Sequence, residues 1–351
     1  MPPLTHKCGV DAEPLYRYEP GGYHPLELGE TLKDGRYKIL HKLGWGGYST
    51  TWAAKDQKTN SYVAVKVKVS EANDTRELKV LQALSALPAN HPGSSRITKL
   101  LDHFTLEGPN GSHECLVLEI AGPNIADAVD PYCYSSRLPA ELVKAVTKHV
   151  LQGLDFLAAN DIAHGGKVSN FWALLSVPDL NSLSEEDFVA RLGKVETGAV
   201  NRLDGGPLED NPPTRIVEPA SFQQTDAMLS CPSVMILDFG EAFFGNNAPD
   251  TLHTLVALRA PEVVFGDRLD PRVDLWSAGC MIFELITGQS PFDTIGQTPP
   301  LLVEQMLEEL PDELPSRWQA KWQVMQQDLV EERNRQQSMS EEDDEVFTLR
   351  E

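Results

Sequence analysis

With 351 residues, 41% of them hydrophobic and 23% charged, the chain is long enough for two packed lobes or one large domain. A formal net charge of -22 argues against direct nucleic-acid binding, which needs clustered Lys and Arg, and suits a basic partner. No apolar run approaches the roughly 18 residues that span a bilayer, and Met1-Pro-Pro-Leu-Thr-His-Lys7 has no apolar signal core, so a cytoplasmic or nuclear address without membrane association is expected. Five scattered cysteines, Cys8, Cys115, Cys133, Cys231 and Cys280, lack paired zinc spacing and are expected as reduced thiols.

In chain order, a Pro/Gly/Tyr-rich leader fills residues 1–35 and contains Tyr18-Glu-Pro-Gly-Gly-Tyr23-His-Pro25. β-Branched and aromatic residues then cluster over Tyr37–Leu43, Thr50–Ala54 and Tyr62–Val69 with turn residues between, which predicts an antiparallel meander. Leu78, Leu81, Leu84 and Leu87 recur at helical spacing and predict a helix within Glu71–Leu87, stopped by Pro88. Strand-like runs at Ile97–Phe104 and Cys115–Ile120 complete a first lobe of five strands and one helix over 36–120.

The second lobe is expected over 121–322. Leu142, Val146, Val150, Leu154 and Leu157 predict a helix over Leu138–Ala159, and helices also suit Arg272–Thr287 and Leu301–Leu310. Residues from about 176 to 232, with Ser182-Leu-Ser-Glu-Glu-Asp187, Asp204-Gly-Gly206 and Asn211-Pro-Pro213, have the polar composition of a solvated insertion. Residues 323–351, including Ser340-Glu-Glu-Asp-Asp-Glu345, suit an acidic tail or a fraying helix fragment.

Chemistry concentrates in a few motifs. Leu43-Gly44-Trp45-Gly46-Gly47-Tyr48-Ser49 joins two predicted strands, where a glycine turn lets backbone N–H groups approach phosphate oxygens. Such turns are common on their own. The next strand, however, carries Val63-Ala64-Val65-Lys66, and the helix after it carries Arg76-Glu77-Leu78, so Glu77 can pair with Lys66 and orient it toward phosphates. Met235-Ile-Leu runs into Asp238-Phe239-Gly240, which places a carboxylate for a metal that bridges phosphates. Further on come Ala260-Pro261-Glu262 and Asp274-Leu-Trp276, whose acid can cap the backbone of the loop Ile162-Ala-His164-Gly165-Gly166-Lys167-Val-Ser-Asn170.

These motifs, in this order over about residues 36–322, resemble those of the eukaryotic protein-kinase superfamily. The Tyr18–Pro25 leader, the Lys42–Thr50 run, Asp238-Phe-Gly-Glu-Ala242, Ala257-Leu-Arg-Ala-Pro-Glu262 and Arg202-Leu-Asp-Gly-Gly-Pro207 are similar to fungal relatives of the SR-protein-specific serine/threonine kinases. The resemblance implies an α+β, bilobal fold with a small β-rich N-lobe and a mostly helical C-lobe, incomplete here because the chain stops soon after Trp322. ATP and Mg²⁺ would be the cofactors, and Ser in basic Arg/Ser-rich proteins would receive the γ-phosphate. Around the nucleotide it implies Leu43, Gly44, Gly46, Gly47, Ala64, Lys66, Glu119, Asn170 and Asp238, with Asn170 and Asp238 on the metal. The implied catalytic set is Lys66, Glu77, Lys167, Asn170 and Asp238.

Two departures stand out. In the glycine pattern G-x-G-x-x-G-x-V, Ser49 and Thr51 replace the last Gly and the Val. In the loop pattern H-R-D-L-x-x-x-N, the base Asp falls on Gly166 counted from His164, or on Gly165 counted back from Asn170. Two functions therefore stay open: a serine/threonine kinase impaired in turnover, and a nucleotide-binding pseudokinase that acts as a protein-interaction scaffold.

Overall fold

The computed structural model describes residues 5–72, 74–122, 138–166, 180–222, 233–293, 295–309 and 313–331. Its first lobe is one antiparallel sheet of six strands: β1 (Thr31–Leu32), β2 (Tyr37–Gly46), β3 (Ser49–Asp56), β4 (Ser61–Lys68), β5 (Leu100–Gly108) and β6 (Gly111–Glu119). Their spatial order is β1-β2-β3-β4-β6-β5. Alternation assigns the faces. Val63, Val65 and Val67 of β4 join Tyr37, Ile39, Trp52, Cys115 and Val117 in one cluster, while Ala64, Leu116 and Leu118 join the core that continues into the second lobe. In register, Lys66 stands between Thr51 of β3 and Leu116 of β6.

Helix α1 (Arg76–Ala86) lies against that second face through Val80, Leu81 and Leu84. It occupies the later part of the expected Glu71–Leu87 stretch; ahead of it the Glu71 N–H donates to Gly21 O (2.8 Å), and at its first residue the Arg76 N–H donates to Asp74 Oδ1 (2.8 Å). The strand expected from Ile97 likewise begins at Leu100. Ile97 instead bridges Ile236 in parallel, the Thr98 N–H donates to Ile236 O (3.1 Å) and the Ile236 N–H to Arg96 O (2.7 Å). That short ladder fixes the approach to Asp238.

The helical lobe is built around α2 (Ala140–Ala159), which buries Val146, Val150, Leu154 and Leu157 at the expected spacing. Burying each such side chain contributes roughly 1.5–3 kcal/mol. The same core takes in Ile236, Phe239, Ala278, Met281, Leu302 and Met306. On the long helix Val273–Thr287, by contrast, Leu275, Phe283 and Ile286 are exposed. A last helix covers 316–331 and packs Trp318 on Phe265, their rings stacked at 4.6 Å.

The leader, and the described part of the insertion that composition suggests is solvated, are both ordered on the sheet lobe. In the leader, Tyr18, Tyr23 and Leu26 are buried, and Lys42 Nζ donates to both carboxylate oxygens of Glu13 (2.6 Å each). Tyr18 Oη also donates to Glu13, and Lys42 Nζ lies 4.9 Å from the Trp52 ring centroid. In the insertion, Ser184 caps α3 (Glu185–Leu192) and Phe188 stacks on Tyr62 at 3.7 Å. Thr197–Ala199 pairs with Arg215–Val217, and Asn201–Arg202 with His6–Lys7, which closes Val200 and Ile216 over Tyr18 and Tyr23. Apolar residues are sparse in this insertion, but Phe188, Leu192, Val200 and Ile216 are buried against the sheet lobe or the leader.

The buried ion pair gives a direct expectation. Glu13→Gln strands the Lys42 ammonium in the core and should cost about 3–5 kcal/mol in urea unfolding, with Glu13→Leu/Lys42→Met recovering most of it. A loss within 0.5 kcal/mol for the single variant, about the level of an ordinary surface change, would contradict this account.

A buried histidine pair adds a pH dependence. His24 is packed edge-on to His113 (4.9 Å between ring centroids), and burial, aided by His113, pushes its pKa down to about 4. The folded state thus favours neutral His24, so its contribution is complete above pH 6.5 and is lost as the pH falls below that value. Between pH 6.5 and 4 the cost is roughly 3 kcal/mol, and His24→Gln should flatten the stability profile over that range.

Candidate active site

Three separate elements converge on one ammonium group. Strand β4 presents Lys66, whose Nζ donates to Glu77 Oε1 of α1 (2.6 Å) and to Asp238 Oδ1 (2.7 Å). Glu77 is buried at 3% exposure, and Asp238, at 45% of its side chain, opens to the cleft. Burial alone would lower the Lys66 ammonium, but the charges of Asp238 and Glu77 outweigh it and hold the lysine above its ordinary range. Lys66 in turn lowers Asp238, so the arrangement keeps a fixed charge pattern across the neutral range.

Asp238 has a left-handed backbone, φ 60° and ψ 75°, which turns its side chain toward Lys66 as the chain leaves the core. Phe239 beside it is fully buried and meets the His164 ring edge-on at 5.0 Å. The Gly166 N–H donates to His164 Nδ1 (3.2 Å), so the proton sits on Nε2, which donates to Leu237 O (2.8 Å). Asp274 holds the backbone of the same loop by accepting from the His164 N–H at Oδ2 (2.6 Å) and the Gly165 N–H at Oδ1 (2.8 Å). Burial raises the Asp274 pKa against the opposing pull of His164 and these two donors.

Gly165 has φ +64°, and a Cβ there would lie 2.7 Å from Glu241 O. A side chain at 165 is therefore excluded. Of the two glycines that could stand in the base position, Gly165 is thus ruled out as the place for a carboxylate. Lys167 and Asn170 lie outside the described residues.

At the other side of the cleft, Gly46 pairs with Ser49 so that Gly47 and Tyr48 form the hairpin tip. A Cβ at Gly44, Gly46 or Gly47 would meet nothing within 4 Å, so the strand edge here borders open space. Ala64 is buried beneath it and Leu43 packs on the adjoining core. Glu119 closes β6, where its Oε1 accepts from Lys99 Nζ (3.2 Å) and its buried Oε2 has no protein partner among the described residues. Lys66, Glu77 and Asp238 are thus brought into contact, and strand register sets Gly44 opposite Thr51, the cross-strand partner of Lys66. Sequence reasoning reached the capping role of Asp274 but not the bond from His164 to Leu237 O or its ring contact with Phe239, for which no local pattern exists.

A sheet lobe and a helical lobe meeting at a lysine bridged to two carboxylates define a protein-kinase fold. A solved structure titled as a kinase domain superposes with a TM-score of 0.59 at 22% identity, covering 84% of this chain and 75% of that one. Residues 224–341 match the protein kinase domain family. The serine/threonine-protein kinase SRPK of Physarum polycephalum is 34% identical over 287 residues, 78% of this chain and 66% of that protein. Protein kinase dsk1 of Schizosaccharomyces pombe is 28% identical over 370 residues (83% and 68%), and serine/threonine-protein kinase SKY1 of Saccharomyces cerevisiae is 41% identical over 152 residues (41% and 20%). The chain belongs to the eukaryotic protein-kinase superfamily, among the relatives of the SR-protein kinases. It spans about two thirds of the length of the Physarum protein.

Asp274→Ala would leave two buried N–H groups unpaired and should destabilise the helical lobe by roughly 2–4 kcal/mol. Hydrogen exchange at His164 and Gly165 should accelerate more than exchange elsewhere in that lobe. Uniform acceleration would show that Asp274 does not hold this loop in particular.

Proposed function

We propose that the chain is an ATP-dependent serine/threonine protein kinase of the SR-protein-kinase type, acting on Ser in basic, Arg/Ser-rich proteins of the cytoplasm or nucleus. The observation that carries this reading is Lys66 held at once by Glu77 and Asp238. An ammonium fixed in that way is poised to meet phosphate oxygens without further reorganisation. The donor set also fits the cofactor: open space along Gly44, Gly46 and Gly47 for phosphates, and a carboxylate on Asp238 for Mg²⁺, with Leu43, Ala64 and Glu119 expected against the base.

Mg-ATP would supply the phosphoryl group and the charge that neutralises its transfer. This chain's residues would do the positioning. Lys66 orients phosphate oxygens, Glu77 orients Lys66, and Asp238 with Asn170 would hold the metal, while Lys167 would contact the transferred group. The acidic surface, at a net charge of -22, complements an arginine-rich substrate. Nothing in Gly165 or Gly166 can accept the serine proton, and a missing general base costs roughly 10²- to 10⁴-fold in rate.

That gap favours a second reading, a pseudokinase that binds nucleotide as a structural ligand and presents its surfaces to a basic partner. The test is Mg-ATP binding by calorimetry together with phosphate transfer to an Arg/Ser-repeat peptide, for the chain as it is and for Gly166→Asp. The kinase reading expects binding in both, slow transfer by the unaltered chain and a gain of about 10²-fold or more with Gly166→Asp. Binding with no measurable transfer by the unaltered chain selects the pseudokinase, and no binding by either form removes both readings.

A further inference from the structure

The glycine-rich turn is held from outside by the leader. Tyr23 Oη donates to Gly46 O (2.9 Å), and Arg17 Nη2 donates to Gly47 O (3.0 Å). The next carbonyl, Tyr48 O, accepts from the Val69 N–H (3.0 Å). Three successive carbonyls at the tip therefore have donors from beyond the hairpin. In a trans peptide the C=O of one residue and the N–H of the next point in opposite directions. Fixing the carbonyls of Gly46 and Gly47 on the leader side thus fixes the N–H groups of Gly47 and Tyr48 on the other side.

The two donors are themselves anchored. Arg17 Nη2 also bonds Glu71 Oε1 (3.0 Å), and its guanidinium lies 5.5 Å from the Tyr23 ring centroid. The Tyr23 N–H donates to Arg17 O (2.9 Å), which passes so close to Gly22 that a Cβ at 22 would collide with it. Gly21 joins the lobe through its N–H to Asn110 O (2.8 Å) and its carbonyl to the Glu71 N–H (2.8 Å). Upstream, the buried Glu13–Lys42 pair ties the leader to β2 just ahead of Leu43 and Gly44. A turn rich in glycine is otherwise conformationally loose, since each glycine surrenders more backbone freedom than any other residue.

On the nucleotide-binding reading above, we propose that Arg17 and Tyr23 are positioning residues that hold the glycine-rich turn with its N–H groups set for phosphates. The leader is then a working part of the phosphate site. Neither residue touches the nucleotide; each acts through a carbonyl of the turn.

The experiment compares the full chain with Tyr23→Phe, Arg17→Ala and Arg17→Lys. Tyr23→Phe removes only the hydroxyl and keeps the buried ring. Binding of Mg-ATP and of adenosine is measured by calorimetry, and hydrogen exchange of residues 43–50 is followed without ligand. Tyr23→Phe and Arg17→Ala should each weaken Mg-ATP about 5- to 10-fold, the worth of one hydrogen bond, and leave adenosine affinity unchanged, with Arg17→Lys losing less. Exchange at 43–50 should quicken in the two disruptive variants. Equal losses for both ligands, or no loss for Mg-ATP, would overturn the proposal, as would unchanged exchange. If the unaltered chain binds neither ligand, the nucleotide reading falls by itself, and the hold of the leader on the turn is decided by exchange alone.

Discussion

A single ammonium group organises this protein. Lys66 arrives on the face of β4 that points into the main core, and an unpaired charge there would be expelled or neutralised. Glu77 and Asp238 together make it tolerable, and each comes from an element that has to be brought to the sheet by packing. Val80, Leu81 and Leu84 seat α1, while the Ile97–Ile236 bridge and the buried Phe239 seat the segment that carries Asp238. The polar contact does not assemble the lobes, since buried pairs add little net stability over apolar packing. It selects, among the ways those apolar surfaces could meet, the one in which both carboxylates reach Lys66.

The sheet lobe contains a second buried cation with a different task. Lys42 points to the opposite side of the glycine turn from Lys66 and pairs with Glu13 of the leader. One lysine ties the lobe to the cleft and the other ties it to its wrapping. Leader and insertion pair with each other through His6–Lys7 and Asn201–Arg202, so the wrapping is a continuous layer. It reaches the sheet lobe even though the insertion departs from and returns to the helical one.

The period of a local pattern determined what could be read in the sequence. Val63, Val65 and Val67 alternate with Ala64 and Lys66, and Leu78, Leu81 and Leu84 recur at helical spacing, so strand, helix and the faces they share were legible. The site followed because its residues sit at fixed offsets within such elements, as Lys66 and Glu77 do. The leader and insertion were not legible, because their contacts are distant: Phe188 finds Tyr62, and Arg17 finds Gly47. Gly22 shows the same limit, since its glycine marks a close approach, and only the fold reveals that the neighbour is Arg17 O.

The loop after α2 shows why binding and turnover can part company in such a fold. Its backbone is held by Asp274 through two N–H groups, by His164 through Leu237 O, and by the left-handed turn at Gly165. None of these interactions uses the carboxylate that the family pattern puts after the glycine. Among the described residues of the loop, His164 and Gly165 are held through backbone atoms and Asp274 rather than through a base carboxylate. The Lys66 network is equally indifferent to it, since Glu77 and Asp238 are Lys66's only carboxylate partners among the described residues.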